Sequence, residues 1–159
     1  MEKTGVLFVC LGNICRSPLA EGIFRDKVKQ AGLEEHFKID SCGTSAFHIG
    51  EQPDPRSSAN AIENGVYLDH QARQFVKADF SEFDYILPMD ASNYRNVMRL
   101  EPANAQGRVV LMRAFDSLEK GEDVPDPYYG GERGFQNVFD ILERSTEALL
   151  SAVRSEKGI

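Results

Sequence analysis

An α/β fold is predicted, a single-domain open twisted parallel sheet of about four strands with helices on both faces. Three observations carry this. Short apolar runs alternate with helix-like stretches along the chain, the order that a parallel sheet with crossover helices needs. The first run, Val6-Leu7-Phe8-Val9, is continuously apolar, as in a strand buried on both faces. The 159 residues contain no internal repeat, low-complexity tract or linker, so residues 1–159 read as one domain with one sizeable core.

The elements follow in order. After the first strand, Leu19, Ile23, Phe24, Val28 and Ala31 lie near one helical face. This predicts a helix from Pro18 to about Ala31, stopped by Gly32 and started by Ser17 as cap with Pro18 at the first helical position. Phe37 to Ser41 suits a second strand. Residues 43 to 57 carry Gly43, Gly50, Pro53 and Pro55 and read as loop. Ser57 to Asn64 is a short helix ended by Gly65, and Phe83 to Pro88 a third strand. Asp90 is placed to cap a helix running to about Leu100, with Pro102 beyond it. Val109 to Met112 is a fourth strand, and residues 123 to 131 (DVPDPYYGG) are loop. Phe135, Val138, Phe139, Leu142, Leu149 and Val153 mark a last amphipathic helix.

Composition narrows the function classes. The formal net charge is -7, which argues against general binding to a nucleic-acid backbone but leaves room for one local anion pocket. Three cysteines, Cys10, Cys15 and Cys42, make a poor disulfide framework for a secreted domain. The apolar run Val6 to Leu11 is too short for a signal-peptide core or a membrane span. A cytoplasmic protein with reduced thiols and no membrane insertion is expected.

The segment VCLGNICRSP, residues 9 to 18, concentrates the chemistry. Sites in open α/β sheets lie at the carboxyl ends of strands, and Cys10 sits where the first strand runs out. Gly12 and Asn13 tolerate left-handed backbone, so successive amides of Leu11, Gly12, Asn13, Ile14, Cys15, Arg16 and Ser17 can turn inward as an anion nest. The following helix adds its positive end, and Arg16 a planar fork that matches two phosphate oxygens. The same field favours a thiolate at Cys10. A thiolate at the floor of an oxyanion cradle is a nucleophile aimed at phosphorus. The loop lacks the G-x-x-x-x-G-K-[ST] pattern of nucleotide-binding loops. A phenolate leaving group, from a parent acid of pKa about 10, departs poorly unless protonated, so a general acid is needed on another loop. Asp126, stiffened by Pro125 and Pro127, is the candidate, and Tyr128 and Tyr129 are placed to flank an aromatic substrate.

VCLGNICRSP, SCGTSAFHIG, HQARQ, LPMDASNYR and DPYYGG together resemble the low-molecular-weight protein tyrosine phosphatases, in the same order and over nearly the whole chain. A C-x5-R pattern alone would be weak; the extended first string with a distant D-P-Y-Y is specific. The resemblance implies one domain of that family over residues 1–159. It makes Cys10 the nucleophile of a phosphocysteine intermediate and Arg16 the phosphate clamp. Asp126 becomes the acid and then the base that activates water. It further implies that Ser17 donates a hydrogen bond to the Cys10 thiolate and that Asn13 shapes the loop, tied to Ser41 and His70. Asp90 orients Arg16 and also reads as a helix cap. Leu11, Phe47, Tyr128 and Tyr129 would wall a pocket deep enough to favour phosphotyrosine over phosphoserine. Cys15 would pair reversibly with Cys10 on oxidation and protect it. No cofactor and no metal are implied. The partners implied are tyrosine-phosphorylated proteins, with inorganic phosphate as product and competitive ligand; a monomer is the default. Aryl phosphates at acid pH are expected substrates too.

Three other functions compete. An arsenate reductase of this fold needs relay cysteines, and Cys42 is the last in the chain. A phosphoarginine phosphatase carries a Thr after the nucleophile, where Leu11 stands here. A non-catalytic phosphate-binding module would keep the arginine and lose the nucleophile or the acid. Cys42, His36 and His48 are expected to be structural or without a role, and Cys42 and Phe47 are departures at positions where the family varies.

Overall fold

Strand β1, Thr4–Cys10, is buried along its whole length, as its unbroken apolar run requires. The computed structural model describes residues 2–159, apart from the side chain of Tyr129. In it β1 pairs in parallel with β2, Phe37–Gly43, on one side and with β3, Tyr85–Pro88, on the other. A short edge strand β4, Arg108–Val109, adds to β3, giving a parallel sheet of order β2-β1-β3-β4.

Five α-helices lie among the described residues: α1 Arg16–Gln30, α2 Pro55–Glu63, α3 Asp79–Glu82, α4 Ala91–Met98 and α5 Gly131–Lys157. Successive β1 side chains point to opposite faces. Val6, Phe8 and Cys10 join Leu19, Ile23 and Phe24 of α1 and Phe139, Leu142 and Leu149 of α5 in one core. Leu7 and Val9 join Phe80 of α3 and Val97 of α4, with Phe75 and Phe83, in the other. Phe8, Phe24 and Phe37 stack edge-on with centroids 5.6 and 5.5 Å apart, and each such buried ring contributes about 1.5–3 kcal/mol of apolar transfer. No helix among the described residues is long and apolar enough to cross a membrane.

Strand order positions the site. The chain leaves β1 toward β2 on one side and later returns as β3 on the other, so the residues after Cys10 emerge at the switch point where such sheets leave a crevice.

Three local expectations are corrected. The fourth strand is confined to Arg108–Val109, because the chain turns at Leu111 into a 3-10 helix, Met112–Phe115, that buries Met112 and Arg113. Helix α1 starts at Arg16, not Pro18, and its cap position is Cys15 with no side-chain capping bond. Ser17 does not cap because its hydroxyl faces the Cys10 sulfur. Two short elements, α3 and the 3-10 helix Glu34–His36, carry too few residues to show a period in sequence.

Asp116 anchors the segment that leads to Asp126. Its fully buried carboxylate accepts from Arg113 Nε at 2.8 Å and from Arg144 Nε at 2.7 Å. Arg113 Nη1 in turn donates to the carbonyl of Asp123 at 2.8 Å, and Val124 N–H to the carbonyl of Met89 at 2.8 Å. Burial alone would raise the Asp116 pKa, but the Arg144, Leu118 N–H and Arg113 bonds outweigh it and hold the carboxyl well below its usual range. A depressed folded pKa contributes stability above the unfolded value and loses it as pH falls through the folded one. Asp116→Asn is expected to cost about 3 kcal/mol at pH 7 in urea unfolding, because it leaves buried arginine charge uncompensated. The difference from wild type should shrink on acidification below about pH 4.

Candidate active site

The loop after β1 wraps round the Cys10 sulfur. Asn13 N–H donates to Cys10 Sγ at 3.3 Å and Ser17 Oγ lies 2.9 Å from it. Asn13 makes the turn possible, with φ 58°, the one positive-φ residue other than glycine among the described residues; Asn tolerates this region better than most. Neighbouring backbone holds the loop down: Thr44 N–H donates to the Cys10 carbonyl at 2.9 Å and Ser45 N–H to that of Leu11 at 3.0 Å. Gly43 lies directly beneath. A β-carbon there would stand 2.7 Å from the Leu11 carbonyl oxygen and 3.2 Å from Asn13 N, so only glycine lets the loop close this tightly.

The proton wiring behind the sulfur is set by one backbone group. Arg73 N–H donates to Asn13 Oδ1 at 3.0 Å, which fixes the orientation of the amide. His70 Nε2, 2.7 Å from the same oxygen, is therefore a donor. Asn13 Nδ2 donates to Ser17 Oγ at 2.8 Å and Ser41 Oγ at 3.0 Å. With its oxygen accepting from Asn13, the Ser17 hydroxyl turns its hydrogen to Cys10 Sγ, its nearer acceptor; the Cys42 carbonyl is 3.3 Å away. Ser41 Oγ passes its hydrogen to Glu21 Oε1 at 2.7 Å. The string HQARQ thus supplies both His70 and the Arg73 backbone that lock the loop.

Arg16 is only 3% exposed. Its Nη1 donates to Asp90 Oδ2 at 2.7 Å and to the Val124 carbonyl at 3.0 Å, and its Nη2 lies 3.8 Å from Asp126 Oδ2. Burial works against its charge, but the neighbouring Cys10 and Asp90 raise its pKa above the ordinary value. Asp90 divides its oxygens: Oδ1 accepts Asn93 N–H at 2.7 Å and caps α4, while Oδ2 holds Arg16. One carboxylate thereby ties the clamp to a helix terminus. Asp126, half-exposed, stands across from it on the acid loop, its Oδ1 accepting Tyr128 N–H at 3.0 Å.

These groups open into one pit of about 280 Å³ lined by Cys10, Arg16 and Asp126, with Leu11, Gly12, Ile14, Cys15, His48 and Tyr128. A buried thiol, a fixed guanidinium and a solvent-facing carboxyl on one cavity form the constellation of covalent phosphoryl transfer. The family model described as low molecular weight phosphotyrosine protein phosphatase matches residues 5–158. The chain belongs to the low molecular weight phosphotyrosine protein phosphatases. The Schizosaccharomyces pombe low molecular weight phosphotyrosine protein phosphatase is 46% identical over 149 residues, covering 93% of this chain and 96% of that one. A protein tyrosine phosphatase from Entamoeba histolytica, crystallised with Hepes in its active site, superposes with TM-score 0.91 at 40% identity over 98% of this chain and 99% of that one. The Drosophila arginine phosphatase DARP superposes with TM-score 0.88 at 29% identity over 94% and 97% of the two chains.

Within this phosphatase fold, the expected site residues divide by depth. Leu11, Gly12, Ile14, Cys15 and Arg16 line the pit, whereas the side chains of Asn13, Ser17 and Ser41 are buried behind it. Leu11 and Tyr128 form rim walls, 46% and 40% exposed. The Arg56 guanidinium carbon sits 5.0 Å from the Tyr128 ring centroid, and Arg56 Nη1 donates to the Tyr128 carbonyl at 2.8 Å. Phe47, expected as a wall, is 83% exposed and is not among the residues that line the empty pit. His48, expected to have no role, lies there instead, its ring against Gly12 and its Nδ1 2.8 Å from Glu51 Oε2. An exposed loop with no period hides which of two adjacent side chains turns inward. The Tyr129 side chain lies outside the described residues. Asp54, which no sequence motif singles out, caps α2 by accepting Arg56 N–H at 2.9 Å and gives its own N–H to the Ile14 carbonyl at 2.7 Å.

Two of the three thiols are suppressed by their surroundings. Burial, then the charges of Asp54, Cys10 and Asp126, push the Cys15 pKa up to about 12. Burial pushes Cys42 well above its ordinary value, inside the second core. Both stay protonated at neutral pH, so iodoacetate at pH 7 is expected to label Cys10 alone, and phosphate to slow that labelling; peptide mapping reads the site. Asp90→Ala frees Arg16 and removes the α4 cap. It is expected to lower kcat/KM on aryl phosphates about 10²-fold and to cost about 1 kcal/mol or more of stability.

Proposed function

We propose that this protein hydrolyses phosphotyrosine in proteins, and aryl phosphates generally, through a phosphocysteine intermediate. The convergence of Cys10, Arg16 and Asp126 on one pit with an apolar rim carries the reading. Cys10 Sγ attacks phosphorus in line, forming the S–P bond as the P–O bond to the ring breaks. Asp126, at the solvent side, gives its proton to the departing phenolate oxygen. Arg16 and the inward amides of residues 11–17 take up the equatorial oxygen charge without reorganising, because Asp90 and the Val124 carbonyl already hold the guanidinium. In the second half Asp126 accepts a proton from water as the water oxygen attacks phosphorus. The Cys10 thiolate then leaves, stabilised by the Ser17 hydroxyl.

Leu11 and Tyr128 offer flat apolar surface to a phenyl ring, and a pit with its nucleophile at the floor favours the longer phosphotyrosine over phosphoserine. Arsenate reduction is not supported: Cys42 is sealed in a core, away from any relay. The remaining proposals rest on composition and placement. The protein works in the cytoplasm as a monomer on tyrosine-phosphorylated proteins, with phosphate as product and competitive ligand. Cys15, on the same pit as Cys10, pairs with it reversibly under oxidation.

Phosphate release from a phosphotyrosine peptide, beside phosphoserine and phosphoarginine substrates, tests the reading. Phosphotyrosine is expected to be fastest, Cys10→Ser inactive, and Asp126→Ala slower by about 10²–10⁴-fold. Preference for phosphoarginine would transfer the assignment to the activity named for the Drosophila structure; binding without turnover would make the chain a phosphate-binding module.

A further inference from the structure

The loop that carries Asp126 is held from both sides of that residue. Two residues before it, the Val124 carbonyl accepts Arg16 Nη1 at 3.0 Å. Two residues after it, the Tyr128 carbonyl accepts Arg56 Nη1 at 2.8 Å. The first bond belongs to the phosphate clamp. The second comes from α2 and ends a chain of contacts that begins at the phosphate loop. Asp54 gives its backbone N–H to the Ile14 carbonyl of that loop at 2.7 Å. Its carboxylate accepts three Arg56 donors: the backbone N–H at 2.9 Å, Nε at 3.1 Å and Nη2 at 2.9 Å. The Arg56 side-chain bonds hold the Asp54 carboxyl below its ordinary range, against burial, so the pair is charged at neutral pH. The guanidinium carbon stands 5.0 Å from the ring centroids of both Tyr128 and Phe135. It therefore touches an aromatic of the acid loop and one of α5 together. Tyr128 N–H donates in turn to Asp126 Oδ1 at 3.0 Å. That leaves Oδ2, the oxygen 3.8 Å from Arg16 Nη2, to carry the proton.

We propose, on the reading of Asp126 as the acid, that Arg56 is a positioning residue for the proton transfer. It spans from the phosphate loop, through Asp54, to the acid loop, through Tyr128, and sets the separation at which Asp126 meets the leaving oxygen. Its side-chain nitrogens serve two directions at once, Nε and Nη2 toward Asp54 and Nη1 toward the Tyr128 carbonyl. A planar guanidinium supplies this and a single ammonium does not. The Arg56 side chain is half-exposed, and ion pairs at such sites contribute little to stability. The consequence of this one is geometric: a reacting group misplaced by about 1 Å loses up to about 10²-fold in rate.

The test compares kcat/KM on phenyl phosphate and on p-nitrophenyl phosphate. Phenolate is the more basic leaving group and depends more on the proton from Asp126. Arg56→Met is expected to lower kcat/KM on phenyl phosphate about tenfold and on p-nitrophenyl phosphate less than about threefold, with the native melting transition retained. Should Arg56→Met melt early, Asp54→Asn, which removes one carboxylate acceptor of the guanidinium, is expected to give the same split between substrates. Arg56→Lys, with one nitrogen for two tasks, should fall with Arg56→Met. In the Asp126→Ala background Arg56→Met should add nothing, because the group it positions is gone. Equal losses on both substrates, full activity on phenyl phosphate in Arg56→Met or Arg56→Lys, or an undiminished further loss in the Asp126→Ala background would overturn the proposal. An Asp126→Ala variant that handles both substrates as wild type does would instead remove the acid assignment itself, and the role of Arg56 with it.

Discussion

The hydrogen bond from the Arg73 backbone to the Asn13 side chain is the constraint on which the catalytic loop rests. A backbone N–H can only donate, so it fixes the amide of Asn13, and every later donor follows from that choice. Asn13 then points its own NH2 at Ser17 and Ser41, and the Ser17 hydrogen is left for the Cys10 sulfur. The left-handed backbone of Asn13 costs about 1 kcal/mol or more in isolation; four side-chain hydrogen bonds at one residue, each worth about 0.5–1.5 kcal/mol net, hold it there. The strain sits at the site it shapes, as is common for functional loops.

A second constraint joins two loops far apart in sequence. Arg16, at the start of α1, is gripped by Asp90 at the start of α4 and by the Val124 carbonyl two residues before Asp126. The guanidinium therefore does more than wait for phosphate. It is also the brace that brings the acid loop over the nucleophile, and the Asp116 hub steadies the same segment one residue earlier, at the Asp123 carbonyl. Clamp and acid are set by one network, so neither can shift without the other.

Shape above the floor is decided by looser contacts. Leu11 and Tyr128 form the rim, and the stack of Arg56 on Tyr128 gives that aromatic a polar backing. His48 puts a hydrogen-bonding ring, itself held by Glu51, at the mouth of the pit beside these apolar walls.

The sequence by itself determined the alternation of strands and helices, the double-faced burial of β1, the Cys10-to-Ser17 cradle and the role of Asp90 as a helix cap. These are local: an apolar period, a spacing of a few residues or a cap is written in neighbouring positions. Tertiary structure alone decided the strand order, the truncation of β4, the use of Ser17 on sulfur in place of a cap, the inward turn of His48, and the need for Gly43 beneath the loop. It also gathered Glu21 of α1, Asp40 of β2 and the loop residue His70. Each of these depends on which distant backbone lies within 3 or 4 Å of a side chain, and no period along the chain encodes that distance.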